Sequence, residues 1–162
     1  MPLALAACGG GSSQKPKPVA VSKRVHGPRF SFTTPREWAV TRSPTSVLAA
    51  PVSGGDLLVG TYFFATVKPY RPSLWPAAAR ELDRRAQQLA KQLKARVASR
   101  ATVRVAGANA RQYVFVYGTR TAKLTFFYDD RREYELYCRW ATRAREPAAC
   151  AALRRSFRLT RS

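Results

Sequence analysis

The sequence is poor in acidic residues, histidine and cysteine, and each shortage excludes a class of function. Nine Asp and Glu stand against 29 Lys and Arg in 162 residues, which gives a formal net charge of +20. One histidine and three cysteines leave too few ligands for a zinc site, so we expect no metal and no cofactor. No apolar run approaches the roughly 18 to 20 residues that cross a bilayer, so no transmembrane helix is expected.

The remaining composition is that of a folded chain. Hydrophobic residues make up 46% of the sequence and aromatic residues 11%, enough to bury a core. A wholly disordered basic tail would lack these side chains. The length predicts one domain with a tail.

Sequence motifs of known catalytic and nucleotide-binding sites are also missing. The sequence contains no G-x-S-x-G, H-E-x-x-H, P-loop or G-x-G-x-x-G pattern. Its one acidic pair, Asp129-Asp130, lies at a predicted turn, where turn chemistry alone favours Asp. We therefore expect no enzyme. A concave pocket lined by Asp129, Asp130 or Glu135 would count against this interpretation.

The N-terminus carries a different signal. Leu5-Ala6-Ala7-Cys8, followed by a Gly/Ser stretch, resembles the lipobox of bacterial lipoproteins. The resemblance implies a lipidated Cys8 and an anchor in the extracytoplasmic face of the cell membrane. Residues 1–7 would be the end of a signal peptide that begins upstream of Met1. Residues 8–28, which include His26, are predicted as a linker, and residues 29–162 as the folded domain.

The other two cysteines are predicted to form a structural disulfide. Cys138 and Cys150 would be exported to an oxidising compartment, where neighbouring thiols normally bridge. Closing this short loop would stabilise the fold by about 3 kcal/mol. The alternatives are two separate buried thiols, or a metal or redox pair.

Periodicity predicts an α+β fold, an antiparallel β-sheet packed against one long helix and a short C-terminal helix. Strands are predicted first at four places, 30–33, 38–41, 47–50 and 57–67. The long helix follows over 72–99, and the sequence then indicates strands at 103–106, 110–117, 121–128 and 133–138. The short helix is predicted to open at Glu146-Pro147 and reach Arg155, with a last strand over 156–159.

The long helix is predicted to be amphipathic. Its apolar stripe should face the sheet and consists of Leu82, Leu89, Leu93 and Val97. The opposite side should present a basic strip, and its four members are Arg80, Arg84, Lys91 and Lys94. These cations are the candidates for contact with a polyanion.

The order of elements and motifs resembles the PsbP-like superfamily, which includes photosystem II extrinsic proteins, a Ran-binding protein and many bacterial lipoproteins. The resemblance begins with Phe-x-Phe-x-x-Pro-x-x-Trp and continues through Val-x-Val-x-Gly and Tyr-x-Leu to a closing Ser-Phe. These motifs are carried by Phe30, Phe32, Pro35, Trp38, Val103, Val105, Gly107, Tyr134, Leu136, Ser156 and Phe157. The resemblance implies a non-catalytic α/β domain, often tethered to a membrane, and it transfers no binding site.

These features predict a non-catalytic, membrane-tethered lipoprotein that serves as a binding or structural module of the cell envelope. Its basic surface would contact anionic lipid or an acidic envelope polymer, while a protein partner stays unspecified. The alternative is a soluble basic protein that binds nucleic acid or another polyanion through charge and aromatic stacking. Nucleic acid is the less expected partner because an exported protein rarely meets it.

Overall fold

The computed structural model describes residues 21–160, which form ten β-strands, two α-helices and one turn of 3-10 helix. The strands before the long helix are β1 Ser22–Gly27, β2 Phe30–Pro35, β3 Ala39–Ser43, β4 Ser46–Ala50 and β5 Leu58–Ala65. The 3-10 turn Pro72–Leu74 leads into helix α1, Trp75–Leu93. The strands that follow are β6 Arg96–Val105, β7 Ala108–Tyr117, β8 Arg120–Asp129 and β9 Arg132–Ala141. Helix α2, Ala148–Ser156, and strand β10, Arg158–Leu159, end the domain.

Two antiparallel sheets organise these strands. The larger sheet has seven strands in the order β3-β4-β5-β9-β8-β7-β6, and the smaller has three in the order β1-β2-β10. Hairpins connect β6 to β9 in sequence, since each of these strands pairs with the next. The predicted α+β class with an antiparallel sheet, one long helix and a short C-terminal helix is confirmed.

Each face of the larger sheet has its own hydrophobic core. On one face, the smaller sheet and α2 cover a cluster rich in aromatic rings, including Phe30, Phe127, Tyr134 and Phe157. On the other face, α1 covers a second cluster centred on Leu82 and Phe126. Side chains alternate between faces along a strand, so β7, β8 and β9 contribute to both cores.

The predicted long helix ends earlier than its sequence pattern indicates. α1 stops at Leu93 because Lys94 takes a left-handed conformation with φ of 51°. The amide of Ala95 then donates to the carbonyl of Ala90 at 2.8 Å, which satisfies one of the last helical carbonyls. Val97 therefore lies in β6, opposite Phe115, and is 36% exposed. Its predicted place on the helix stripe is wrong.

The predicted linker also ends earlier than expected. Ser22–Gly27 is strand β1, which pairs with β2 along its whole length, and Val25 is only 2% exposed. Burial of Val25 opposite Phe32, together with the ladder of backbone hydrogen bonds, explains why these residues are ordered. The predicted boundary at residue 29 is thus wrong. The proposed signal remnant, Cys8 and the linker as far as residue 20 lie outside the described residues.

Candidate functional site

The exposed side of α1 is basic. Arg80, Arg84, Lys91 and Lys94 are all exposed, as predicted, while the buried residues Leu82, Ala86 and Ala90 lie on the opposite side. The spacings of four and seven residues keep Arg80, Arg84 and Lys91 within one stripe, because each helical residue turns about 100°. Lys94 is the left-handed residue that ends the helix and lies exposed just beyond it. Within this stripe, Arg84 contacts Glu81 at 2.7 Å, and both side chains are solvent-exposed. Such a surface pair contributes little to stability.

The other acidic residue of α1 points inward and binds the sheet. Two nitrogens of Arg111 donate to the two carboxylate oxygens of Asp83, each at 2.8 Å. The hydroxyl of Tyr113 also donates to Asp83, at 2.6 Å. These bonds, led by that of Arg111, lower the pKa of Asp83 below its ordinary value. The charge of Asp83 is therefore compensated by the sheet and offsets little of the exposed basic strip.

A second ion pair holds α1 on the sheet, this time with the cation on the helix and the carboxylate on the strand. Arg85 of the helix donates two hydrogen bonds to Glu133 of β9, at 2.8 and 2.9 Å. Bidentate pairs of this kind fix orientation as well as position. Arg85 also lies over the ring of Phe126, 5.8 Å from its centroid. Arg85 is thus a docking residue and does not belong to the exposed strip.

An open groove lies between α1 and the sheet. The helix packs on β7 and β8, but the sheet continues past it to β9 and β5, so a gap forms along its edge. The groove has a volume of about 390 Å³, within the range of small-molecule sites. Its wall consists of Tyr62, Phe64, Leu89, Leu93, Phe115, Tyr117, Ala122, Leu124, Glu135 and Tyr137.

Glu135 is the one charged side chain in this wall. It lies on β9 directly opposite Tyr62 of β5 and is partly buried. Burial raises the pKa of Glu135 to about 7, the negative charge of Glu133 adds to the rise, and Arg85 opposes it. Within residues 21–160 its carboxylate makes no hydrogen bond or ion pair. Glu135 can therefore gain or lose a proton near neutral pH.

Tyrosine rings surround this carboxyl group. Tyr62 and Tyr137 meet edge to face, with ring centroids 5.8 Å apart. Burial raises the pKa of both hydroxyls, and the negative charge of Glu135 raises that of Tyr62 further. A hydrogen bond with Tyr117 adds to the rise at Tyr137. Both hydroxyls therefore stay protonated at neutral pH, and the groove presents neutral aromatic surfaces around one acid.

Neither a protein-family model nor a curated protein matches this sequence. Among solved structures, the fold is similar to the solution structure of cyanobacterial PsbP (CyanoP) from Synechocystis sp. PCC 6803, with a TM-score of 0.66. The match covers 96% of this chain and 98% of that chain, at 13% sequence identity. The chain has a PsbP-like α+β fold. An identity this low shows the shared fold alone.

The residues on which the sequence resemblance rests lie in the core and turns of the PsbP-like fold, and they do not line the groove. Phe30, Phe32 and Phe157 are fully buried in the core between the sheets. Gly107 has a φ of 83° in the turn between β6 and β7, a conformation that favours glycine. The groove itself was missed by sequence reasoning. The one available signal was the pair of acids, Glu133 and Glu135, that alternate with Tyr134 and Leu136 in β9.

The acidic pair does not form a catalytic or metal site with the groove. Asp129 and Asp130 lie exposed at the turn between β8 and β9, and Asp129 lines a separate surface hollow with Arg29 and Arg158. Across residues 21–160, no three His, Cys, Asp or Glu side chains cluster as metal ligands would. His26 is an exposed residue of β1. No helix in this range is long and apolar enough to cross a membrane.

The predicted disulfide is confirmed. Cys138 of β9 and Cys150 of α2 are bonded, with their Cα atoms 5.5 Å apart. Both residues are nearly fully buried, at 2% and 4% exposure. The bond ties α2 to the face of the sheet opposite α1, so it supports the core and lies away from the groove.

Proposed function

We propose that this chain is a non-catalytic lipoprotein, anchored through Cys8 to the extracytoplasmic face of the cell membrane. Its PsbP-like domain is a binding module whose basic strip contacts anionic lipid or an acidic envelope polymer. The observation that carries the proposal is the one-sided charge of α1. Its cations are exposed on one side, while Asp83 is bound to the sheet by Arg111.

The strip alone supports only weak binding. A cation near an anionic surface contributes about 1 kcal/mol, so the three cations of the strip that have no acidic partner among residues 21–160 contribute roughly 3 kcal/mol, while Arg84 is paired with Glu81. This corresponds to a dissociation constant of about 6 mM. A lipid anchor on a short linker would make such weak contacts effective, because it raises the local concentration of the domain at the membrane. The anchor and the basic strip therefore act together in this proposal.

The buried disulfide supports export. Bonds of this kind persist outside the cytosol and are rare inside it. Cys138 and Cys150 lie in the core, where the bond is shielded from solvent reductants. The groove lined by Glu135 is the feature that was expected to count against a non-catalytic role. Because Glu133 is bound by Arg85, the wall of the groove holds a single ionisable carboxyl, without a second acid or base beside it.

The anchor is tested by cell fractionation and mass spectrometry of the native precursor. We expect the wild-type protein in the membrane fraction with a lipid-modified N-terminal peptide that begins at Cys8. A Cys8→Ser variant should lack the modification and leave the membrane fraction. An unmodified, cytoplasmic wild-type protein would contradict the proposal and favour the alternative of a soluble polyanion-binding protein.

The basic strip is tested with the folded domain and lipid vesicles. We expect binding to vesicles that contain phosphatidylglycerol, weak binding to pure phosphatidylcholine, and a steep loss of binding between 50 and about 300 mM salt. Charge reversal at Arg84 and Lys91 should remove most of the binding without unfolding the domain. Reversal of Arg143 and Arg145, two exposed cations before α2, is the matched control. Equal losses in both double variants would contradict a specific role of the strip.

A further inference from the structure

We propose that the groove between α1 and β5–β9 is a binding site for an apolar organic cation, an ammonium group attached to an aromatic or aliphatic body. The ammonium group would lie against Glu135 and the rings of Tyr62 and Tyr137. The apolar body would lie along Leu89 and Leu93. This site is separate from the basic strip, so its proposal does not depend on membrane binding.

The first argument is the unpartnered carboxylate. The carboxylates nearest to it on the helix-covered face have their own cations, Arg111 for Asp83 and Arg85 for Glu133. Glu135 has none within the described part of the chain, although it lies in a largely apolar wall. A charge without a partner in such surroundings costs free energy. A cationic ligand would supply the missing partner.

The second argument is the group of aromatic side chains in the wall of the groove. The faces of Tyr and Phe attract cations, and groups of such rings bind quaternary ammonium ligands. Tyr62 pairs with Glu135 across the strands, Tyr137 follows Glu135 on the same face of β9, and the two rings contact each other edge to face beside the Glu135 position. Phe64, at 42% exposure, and Leu93, at 43%, form the open rim of the groove. These exposed apolar groups would cover the body of the ligand.

Other charged groups lie near Glu135. Glu133 and Arg85 form a pair with no net charge, and Gln88 and Gln92 of α1 are uncharged. Arg139 follows Tyr137 on the same face of β9, donates to the backbone carbonyl of Asp56 and keeps its positive charge, which acts on Tyr62 and Tyr137. Ionised Glu135 is therefore the attractive charge of the groove and Arg139 opposes it, while charges farther than about 8 Å are screened at physiological salt.

The pKa of Glu135, about 7, makes the proposal directly testable by pH. A cation binds the ionised carboxylate, so its affinity should rise with pH until Glu135 is fully ionised. A neutral ligand with a hydrogen-bond acceptor would prefer the protonated acid, so its affinity should fall over the same range. The sign of the pH dependence thus distinguishes the two kinds of ligand.

The experiment is an NMR titration of the folded domain with benzyltrimethylammonium, whose charge does not change with pH. We expect shift changes in Tyr62, Leu89, Leu93 and Tyr137, with binding about 10-fold or more weaker at pH 5 than at pH 8, the same loss as for Glu135→Gln. Benzyl alcohol, a neutral probe, and phenylacetate, an anion, should bind at least about 10-fold more weakly at pH 8. No response to the cation at about 20 mM, or tighter binding of the neutral probe than of the cation, would overturn the proposal.

Three variants test the roles of the residues. Glu135→Gln should weaken cation binding about 10-fold or more at pH 8 and abolish its pH dependence. Tyr62→Leu should weaken it about 2- to 5-fold, while Tyr62→Phe, which keeps the ring, should not. Glu37→Gln removes an exposed carboxyl group from the turn between β2 and β3 and should leave binding unchanged. Unchanged affinity in a folded Glu135→Gln variant would refute the assignment.

Discussion

Glu135 predicts an unusual dependence of stability on pH. Its pKa rises from an ordinary value of 4.5 to about 7 in the folded protein, chiefly because the side chain is buried. Between these two values the folded state holds a proton that the unfolded chain has lost. Stability must therefore fall as pH rises from about 4.5 to 7. Replacing Glu135 with Gln should remove this loss and leave the domain more stable at neutral and alkaline pH.

The size of the effect follows from the same two values. The difference between 4.5 and about 7 corresponds to about 3 kcal/mol in the free energy of unfolding, at 1.36 kcal/mol per pH unit. Because the groove is open to water on one side, we expect a gain of about 2 kcal/mol for Glu135→Gln above pH 7.5. For about 140 described residues this raises the melting temperature by roughly 6 °C.

The assay is thermal unfolding of the wild type and the Glu135→Gln variant by circular dichroism, from pH 4 to about 8.5. The difference in melting temperature should be near zero below pH 4.5, grow through pH 6 and reach a plateau above about 7.5. A Glu37→Gln variant should follow the wild type throughout. A difference that is constant with pH, or a variant less stable than the wild type at pH 8, would show that Glu135 is not destabilised by burial.

Three further sets of substitutions test interactions that stabilise the fold. Replacing both Cys138 and Cys150 with Ala should lower the free energy of unfolding by about 3 kcal/mol in denaturant titrations, because a short loop is no longer closed. Asp83→Asn should cost about 2 to 4 kcal/mol at pH 7. Because the pKa of Asp83 is lowered in the folded protein, this stabilisation is lost as pH falls below the ordinary range of Asp, and the difference between the two proteins should shrink there. Gly60→Ala should lower the melting temperature in calorimetry by several degrees, since its Cβ would lie 2.3 Å from the carbonyl oxygen of Val47.

Long strands joined by short turns were predictable from the sequence. The strands that became β7, β8 and β9 alternate apolar and polar residues over a long stretch, and short turns separate them. Antiparallel pairing follows from such hairpins. The disulfide was predictable for a different reason, because the export that the lipobox resemblance implies and an even number of remaining cysteines favour a bond between Cys138 and Cys150. These inferences used only local pattern and chemistry.

Edge strands were not predictable in the same way. β6 is exposed along nearly all of its length, and arginines recur in it at Arg96, Arg100 and Arg104. With no buried face, such a strand has no alternation of apolar and polar residues. The sequence pattern therefore predicts its first residues as a continuation of α1. The sequence also carries no usual signal for the end of α1. Lys94 takes the left-handed position that glycine or asparagine usually occupies.

The groove could not be predicted because its parts meet only in the folded sheet. Tyr62 lies far in sequence from Glu135, yet the pairing of β5 with β9 places them opposite each other. Whether the helix covers that pair depends on where α1 docks. Asp83 and Glu133 set this position through their arginine partners, and no periodicity in the sequence reveals such contacts.

The scarcity of carboxylates connects the two proposed surfaces. With nine acidic residues against 29 basic ones, each carboxylate that is bound inside the fold leaves the surface more positive. Asp83 and Glu133 are used to dock α1, so the exposed side of the helix keeps its cations. The same docking leaves Glu135 uncovered beside the helix and without a partner. One helix thus separates the basic strip, proposed to contact an anionic surface, from the aromatic groove at Glu135, proposed to bind a small cation.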